Sequence, residues 1–217
     1  MTARIERDED ERAVIVEIRA SSAIVRLNAA AERNALSIAT LEELDSVVSG
    51  LITRAELTAI IFTGTDDVFA SGANIHELRA LTPATAQEFA RRGQRLFQKI
   101  ADARQLTIAA VNGYCMGGGL DLALACDLRF ASPGAVFSHP GARLGIITGW
   151  GGTQRLPHLI GAASALEMFV TAKRVMSSEA VEMGLVSMIG DPVLDYAYEA
   201  ARRYALPNPR AQPTPSL

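Results

Sequence analysis

The sequence predicts an α/β fold in which a mostly parallel sheet is flanked by helices. Short apolar runs that are typical of buried strands alternate with longer segments that carry the 3.6-residue period of helices. One such run, residues 107–111, ends near three consecutive glycines, and a helical pattern begins there at once. Successive parallel strands of this kind are joined by right-handed crossovers whose helices cover the sheet.

The first half of the chain begins with two short strands and then a helix. Ser37 is a typical helix N-cap, and apolar residues keep the helical period from Leu41 to Leu51. The predicted elements are strands over 13–18 and 23–27, a polar loop over 28–34, a helix from Ser37, a strand over 59–62, a loop over 63–71 and a helix over 82–101.

The second half alternates strands and helices until a proline-rich end. Residues 207–217 contain four prolines and few side chains to bury, which predicts a flexible tail after a single domain of residues 1–206. The predicted elements are strands over 106–111, 128–131 and 136–137, helices over 118–125, 162–171, 178–183 and 192–205, and a glycine-rich segment over 145–152.

Composition excludes several classes of function. The 217 residues carry a formal charge of −3 with scattered basic residues, so we expect no binding to nucleic acid. No apolar run is long enough for a membrane span, and the charged first residues are unlike a signal peptide, so a cytoplasmic location is expected. The two cysteines are too few and too widely spaced to suggest a metal site, and they fit small core residues.

The glycine turn at residues 112–121 is the most informative segment. Gly117, Gly118 and Gly119 permit a tight turn and leave the first N–H groups of the next helix uncovered. Such groups, together with the helix dipole, suit an oxygen that gains negative charge during a reaction. A phosphate loop is excluded because no lysine followed by serine or threonine comes after the glycines. The alternative is a turn that is glycine-rich only for close packing.

Five segments of the chain fall into one pattern. They are LNAAAERNAL (27–36), IIFTGTDDVFASGANIHEL (60–78), IAAVNGYCMGGGLDLALACDLRFAS (108–132), GGTQRLPHLIG (151–161) and AVEMGLVSMI (180–189). In order and spacing they resemble the crotonase family, also called the enoyl-CoA hydratase/isomerase superfamily, over residues 12–205. The resemblance implies a spiral of ββα repeats, here with a shortened C-terminal helical part. It also implies an acyl-CoA substrate, no separate cofactor or metal, and a homo-oligomer, either a trimer or a dimer of trimers.

The resemblance also assigns site residues. The backbone N–H groups of Ala73 and Gly118 would hold the thioester oxygen as an enolate forms, and Asp121 would move the proton. The remaining substrate-binding positions that it implies are Ala70, Gly72, Asn74, Ile75, Gly117 and Gly141. Arg33, in the loop that resembles the family's coenzyme A loop, would face either a phosphate or solvent.

Two departures from the family pattern make hydration doubtful. The family's two acid–base glutamates correspond to Asp121, which is one methylene shorter, and to Gly141, which has no side chain. Hydration needs one group to activate the water and another to deliver a proton to the α-carbon. Each such group raises the rate roughly 10²–10⁴-fold. His139 and His76 are the nearby candidates to replace the missing acid–base group. The alternative is that His139 is a turn residue before Pro140 and that His76 is an exposed residue in the first turn of a helix.

Three functions therefore stay open at the level of sequence. The first is an enzyme of the enoyl-CoA hydratase/isomerase type, whose single carboxylate suits double-bond isomerisation or decarboxylation better than hydration. The second is a catalytically inactive acyl-CoA-binding module, which Gly141 favours. The third is an interaction protein without a ligand, which the two glycine turns disfavour.

Overall fold

Parallel strands dominate the structure, as the sequence predicts. A computed structural model describes residues 12–204, so the predicted tail at 207–217 lies outside the described residues. The described residues form three sheets. The strands are β1 (Val14–Arg19), β2 (Ser22–Leu27), β3 (Ala35–Leu36), β4 (Ala59–Thr63), β5 (Val68–Ala70), β6 (Gly72–Ala73), β7 (Leu106–Val111), β8 (Tyr114–Met116), β9 (Leu128–Ala131), β10 (Val136–Ser138), β11 (Val175–Met176) and β12 (Met188–Ile189).

Helices follow most of the strands and lie on both sides of the largest sheet. Short 3₁₀ helices over Ala30–Glu32 and Pro140–Leu144 complete the described elements. The α-helices are α1 (Ile38–Ile52), α2 (Ile75–Ala80), α3 (Pro83–Ala101), α4 (Gly118–Ala125), α5 (Gly152–Ile160), α6 (Ala162–Thr171), α7 (Ser177–Glu182) and α8 (Val193–Tyr204).

The largest sheet has the strand order β1-β2-β4-β7-β9-β12, and all of its pairs except β1–β2 are parallel. The inner strands β2, β4, β7 and β9 are buried on both faces, and their side chains alternate between the two faces. On β4, Ile60 and Phe62 belong to the main core with α1 and α3, whereas Ile61 belongs to a second core under α8. The prediction of a mostly parallel sheet flanked by helices is thus confirmed.

A second sheet has four strands in the order β11-β10-β8-β5. Strands β5, β8 and β10 are parallel to one another, so their carboxyl ends lie at the same edge. The short strands β3 and β6 pair separately, with Leu36 opposite Ala73. This edge holds the candidate site.

Several short elements differ from the sequence-based prediction. The segment 63–71 was expected to be a loop but contains β5, and the other elements that were not predicted are β3, β6, β8, β11, β12, α2 and α5. Strands of two or three residues carry too few side chains for a period to show, and their pairing partners are distant in sequence, as Val68 and Tyr114 are. By contrast, α4 and β9 begin and end at the predicted residues.

Replacing Gly113 by alanine is expected to destabilise the protein by about 1–3 kcal/mol or more, as overpacking does. Gly113 lies between β7 and β8, where a Cβ would sit 1.8 Å from the carbonyl oxygen of Asp67. That oxygen accepts a hydrogen bond from Tyr114 N at 2.8 Å, so β8 and the residue before β5 cannot move apart freely. Urea unfolding measures the change. Gly134→Ala is the control, because a Cβ there would meet nothing within 4 Å, and equal stability of the two variants would contradict the packing.

Candidate active site

The carboxyl ends of β5, β8 and β10 converge on one cavity of about 240 Å³. Each strand contributes the residues that follow it, and the carboxyl edge of a parallel sheet is where α/β proteins usually bind ligands. The backbone connects these ends directly, since Gly117 N donates to Ser138 O at 2.9 Å. The wall is mostly apolar, with α3 and the segment 144–150 closing the side away from the strands.

Two backbone turns meet at the floor of this cavity. Gly72 and Gly117 have φ values of 99° and 51°, in the left-handed region that glycine adopts without strain. A Cβ on Gly72 would lie 3.2 Å from Gly118 N, and a Cβ on Gly118 would lie 3.5 Å from Ala73 N. The turn after β5 and the start of α4 are therefore packed backbone to backbone, and Ala73 and Gly118 both line the cavity.

The chain's single tryptophan forms the wall behind Gly118. A Cβ on Gly118 would lie 2.3 Å from Cζ3 of Trp150, and one on Gly93 would lie 2.4 Å from the same indole. The ring is held by a hydrogen bond from Nε1 to Phe89 O at 3.3 Å and by an edge contact with Phe97. Glycine at 93 and 118 lets this large side chain reach the cavity.

Asp121 is fully buried and is not among the cavity-lining residues. The Thr148 hydroxyl donates to its Oδ2, whereas its Oδ1 has no hydrogen-bond partner. Burial raises the pKa of Asp121 to about 7, although Thr148, Arg155 and the Trp150 backbone all favour the charged form. Gly152 leaves room for the carboxylate, since a Cβ there would lie 2.0 Å from Oδ1. Asp121 is thus a carboxyl group that changes protonation near neutrality.

His139 stands between this carboxyl group and the cavity. It directly follows β10, lines the cavity, and is only 3 % exposed. Its Nε2 lies 3.6 Å from Oδ1 of Asp121 and has no hydrogen-bond partner, and its ring packs on Phe169 with centroids 5.0 Å apart. Burial lowers the pKa of His139 to about 4, so its imidazole is neutral at neutral pH.

The backbone itself fills the space beside Gly141. Ile146 N donates to Gly141 O at 3.0 Å, and a Cβ on Gly141 would lie 2.6 Å from Ile146 O. A side chain at 141 therefore requires the segment 142–146 to move. A closed turn thus occupies the space that a side chain at position 141 would need.

A groove of about 370 Å³ adjoins the cavity and shares Ser71 and Pro140 with it. Three guanidinium groups line it, from Arg33, Arg143 and Arg174. The loop that carries Arg33 is firmly held, because Ser71 N donates to Arg33 O and the Arg33 guanidinium lies 5.2 Å from the centroid of the Tyr114 ring. A groove lined by positive charge therefore adjoins an apolar cavity.

The structure brings together most of the predicted site residues. Asp121, Ala70 and Asn74 do not line the cavity. Ala70 is buried against Gly119, and the Asn74 side chain accepts hydrogen bonds from two backbone N–H groups of α2. His76 is exposed on α2 and does not line the cavity. The predicted positions that line the cavity are Gly72, Ala73, Ile75, Gly117, Gly118 and Gly141.

Sequence reasoning missed Thr148 and the contact between Asp121 and His139. Thr148 comes 27 residues after the carboxyl group that it binds, in a glycine-rich segment with no periodic signal. A signal for His139 existed, because it lies two residues before the vacant Gly141. The two cysteines are buried free thiols, as expected. Within residues 12–204 no group of three or more potential metal ligands occurs, and no helix is long and apolar enough to cross a membrane.

Comparison with known proteins identifies the family. The family model described as "Enoyl-CoA hydratase/isomerase" matches residues 17–212. The short-chain-enoyl-CoA hydratase of Clostridium acetobutylicum is 36% identical over 193 residues, covering 88% of this chain and 74% of that protein. The crotonyl-CoA hydratase of Syntrophomonas wolfei is 37% identical, covering 82% and 69%. The crystal structure of enoyl-CoA hydratase from Bacillus anthracis superposes with a TM-score of 0.85 at 32% identity, covering 88% of this chain and 76% of that one.

The fold is therefore that of the crotonase superfamily, and the class is one of enzymes that act on acyl-CoA thioesters. The chain belongs to the enoyl-CoA hydratase/isomerase family.

Proposed function

We propose that this protein moves the double bond of an enoyl-CoA thioester through an enolate held by the N–H groups of Ala73 and Gly118. The observation that carries the proposal is the backbone-to-backbone contact of these two turns at the floor of an apolar cavity. Fixed backbone donors suit the thioester oxygen because they need no reorganisation as charge develops, and one such donor is worth roughly 3–4 kcal/mol.

Isomerisation needs fewer groups than hydration. A 3-enoyl thioester loses a proton from its α-carbon, the electron pair moves into the thioester oxygen, and the same proton returns to the γ-carbon. One carrier performs both transfers, whereas hydration also needs a group to position and activate water. The closed turn at Gly141 removes that second group, so isomerisation fits this site better.

The arginine groove supports coenzyme A as the carrier of the acyl chain. The groove is continuous with the cavity at Ser71 and Pro140, which suits a ligand with an apolar end and a phosphate-bearing end. Arg33, Arg143 and Arg174 make no ion pair with a carboxylate in the described part of the chain. Their charge is available to a phosphate although the whole chain is acidic.

The reaction is tested by comparing two assays on the same preparation. Conversion of trans-3-hexenoyl-CoA to the conjugated isomer raises ultraviolet absorbance, and hydration of trans-2-hexenoyl-CoA lowers it. We expect isomerisation to be at least about 100-fold faster than hydration, since one acid–base group is worth that much. Hydration at a comparable or higher rate would contradict the proposed reaction.

A catalytically inactive acyl-CoA binder is the second candidate, and Gly141 is the observation that favours it. The fluorescence of Trp150 reports binding directly, because the indole lines the cavity and is the only one in the chain. A fluorescence change on adding hexanoyl-CoA, with no turnover in either assay, would support this candidate. Absence of both binding and turnover would reject both functions.

Replacing Arg33 by alanine is expected to weaken binding of hexanoyl-CoA about tenfold, the loss of one charge-assisted contact. Hexanoyl-pantetheine lacks the nucleotide phosphates, so its affinity should not change. The Trp150 titration measures both ligands. Exposed Arg95, which pairs with Glu88 on α3, supplies the control variant Arg95→Ala. Equal loss for both ligands would show that Arg33 acts on the loop and not on a phosphate.

We also propose a homo-oligomer, either a trimer or a dimer of trimers. Large apolar side chains are exposed beside the cavity mouth and on the adjacent α6, and they include Ile147 at 62% and Val170 at 61%. Contact between subunits would cover them and would reduce water access to the enolate. Analytical ultracentrifugation tests the assembly, and a monomer at all concentrations would exclude it.

A further inference from the structure

We infer that His139 carries the proton to and from the acyl chain, and that Asp121 acts behind it as a positioning residue and proton partner. The inference deepens the proposed function and rests on it. It reverses the roles that the resemblance to the family implies, because Asp121 does not line the cavity.

Access to the cavity separates the two residues. His139 is the only titratable side chain among the described residues that line the cavity. Asp121 is fully buried and is covered by Thr148 on Oδ2 and by the backbone of Gly152 next to Oδ1. A substrate in the cavity therefore meets the imidazole, and the carboxyl group meets the imidazole from the other side.

The unpartnered atoms of these two residues face each other. Oδ1 of Asp121 and Nε2 of His139 are both buried without a hydrogen-bond partner, and they lie 3.6 Å apart. A buried polar atom without a partner costs free energy, so a small closing movement that pairs these two atoms is favourable. One proton between them satisfies both atoms.

The imidazole is held firmly in this place. Ser138, the residue before His139, pairs with Met116 and accepts the Gly117 N–H in its backbone oxygen. Phe169 of α6 packs against the ring. The backbone just before His139 is thus hydrogen-bonded to the glycine turn that precedes Gly118.

Few other charges face the pair. Arg155 of α5 favours the charged form of Asp121, and Thr148 binds the same carboxyl group. Cys115 of β8 is nearby, and burial raises the pKa of its thiol, so it stays neutral. The pair therefore exchanges a single proton near neutrality.

The proton balance follows from this arrangement. Ionised Asp121 accepts the Nε2–H of His139, which leaves Nδ1 with a free electron pair. The α-C–H bond breaks, its proton bonds to Nδ1, and its electron pair forms the enolate held by Ala73 and Gly118. The imidazolium is stabilised by the carboxylate, and its proton then returns to the γ-carbon. No other reactant is needed.

Exchange of the α-protons of butyryl-CoA in D₂O tests this step without any requirement for turnover. We expect His139→Gln to slow the exchange by roughly 10²–10⁴-fold, the contribution of one general acid–base group, with unchanged binding by Trp150 fluorescence. Added imidazole should restore exchange in His139→Ala, which a merely structural histidine would not allow. Exchange in His139→Gln within about tenfold of the unsubstituted protein, with loss only in Asp121→Asn, would overturn the inference.

The pH dependence gives a second readout. In the unsubstituted protein, exchange should fall below about pH 7, because burial raises the pKa of Asp121 to about 7 and the pair then holds its proton. In Asp121→Asn the acid limb should move to lower pH, towards the lowered pKa of His139, with exchange slower by about 10²-fold. If the acid limb of the pH profile does not move in Asp121→Asn, the pairing of Asp121 with His139 is contradicted. No exchange in the unsubstituted protein at any pH would instead reject the proposed enolate function, and the inference with it.

Discussion

Gly118→Ala is expected to lower the rate of isomerisation by about 10²–10³-fold, because it displaces one of the two donors to the thioester oxygen. The added Cβ would lie 2.3 Å from Trp150 Cζ3 and 2.5 Å from Cε3, so either the start of α4 or the indole must shift. The indole is fixed by Phe89 and Phe97, which makes a shift of α4 the expected response. Such overpacking also destabilises the fold by about 1–3 kcal/mol.

Gly149→Ala is the matched control for this variant. Gly149 also lines the cavity, but a Cβ there would make only an ordinary contact of 3.6 Å with Ala90. Rates are compared under conditions in which urea unfolding shows both variants to be folded. The double variant Gly118→Ala/Trp150→Leu removes the clash and should regain part of the rate. A Gly118→Ala enzyme as active as Gly149→Ala would show that the position of Gly118 N does not matter.

Asp121→Asn is expected to stabilise the fold above neutral pH by as much as about 4 kcal/mol. Burial raises the pKa of Asp121 from 3.8 in the unfolded chain to about 7 in the native protein. The native state therefore binds the proton more tightly, and stability is lost as pH rises from about 4 through 7. Asparagine has no such cost and can still accept the hydrogen bond from Thr148. A gain in stability for Asp121→Asn would show that the buried carboxyl group costs the native state stability at neutral pH.

His139 makes stability depend on pH in the opposite direction. Burial lowers its pKa from 6.5 to about 4, so its contribution to stability is present above about pH 6.5 and is lost as pH falls towards 4. Urea unfolding at about pH 8 and about pH 4 separates the two groups. Asp121→Asn should gain stability only at the higher pH. The exposed Asp195→Asn of α8 is the control, and it should change stability by less than about 1 kcal/mol at either pH. No gain for Asp121→Asn at about pH 8 would show that the native carboxyl group is not destabilised.

The sequence was sufficient for the fold and for the two glycine turns, because these depend on local signals. Ser37 caps α1 through a hydrogen bond to Thr40 N, as its type predicts. The glycines at 72 and 117 have the positive φ values that a tight turn requires. These features arise within a few residues of chain, where spacing and residue type carry the information.

The side-chain arrangement could not be predicted in the same way. Asp121 was expected to reach the substrate, but whether it does depends on Thr148, His139 and Gly152, which are distant in sequence and meet it only in three dimensions. Gly141 suggested an empty acid–base position, and only the structure shows the backbone of Ile146 closed over it. Burial and mutual contact, rather than residue type, decide which group touches the ligand.

The infrared stretching frequency of the thioester carbonyl reports directly on whether the N–H groups of Ala73 and Gly118 bind its oxygen. Two donors that converge on one oxygen polarise the carbonyl, so its frequency in isotope-labelled trans-2-hexenoyl-CoA should fall on binding. We predict a clear downward shift of the carbonyl frequency in the unsubstituted protein and in Gly149→Ala, and a much smaller shift in Gly118→Ala. A carbonyl frequency in the bound thioester equal to that in water would contradict the role of Ala73 and Gly118.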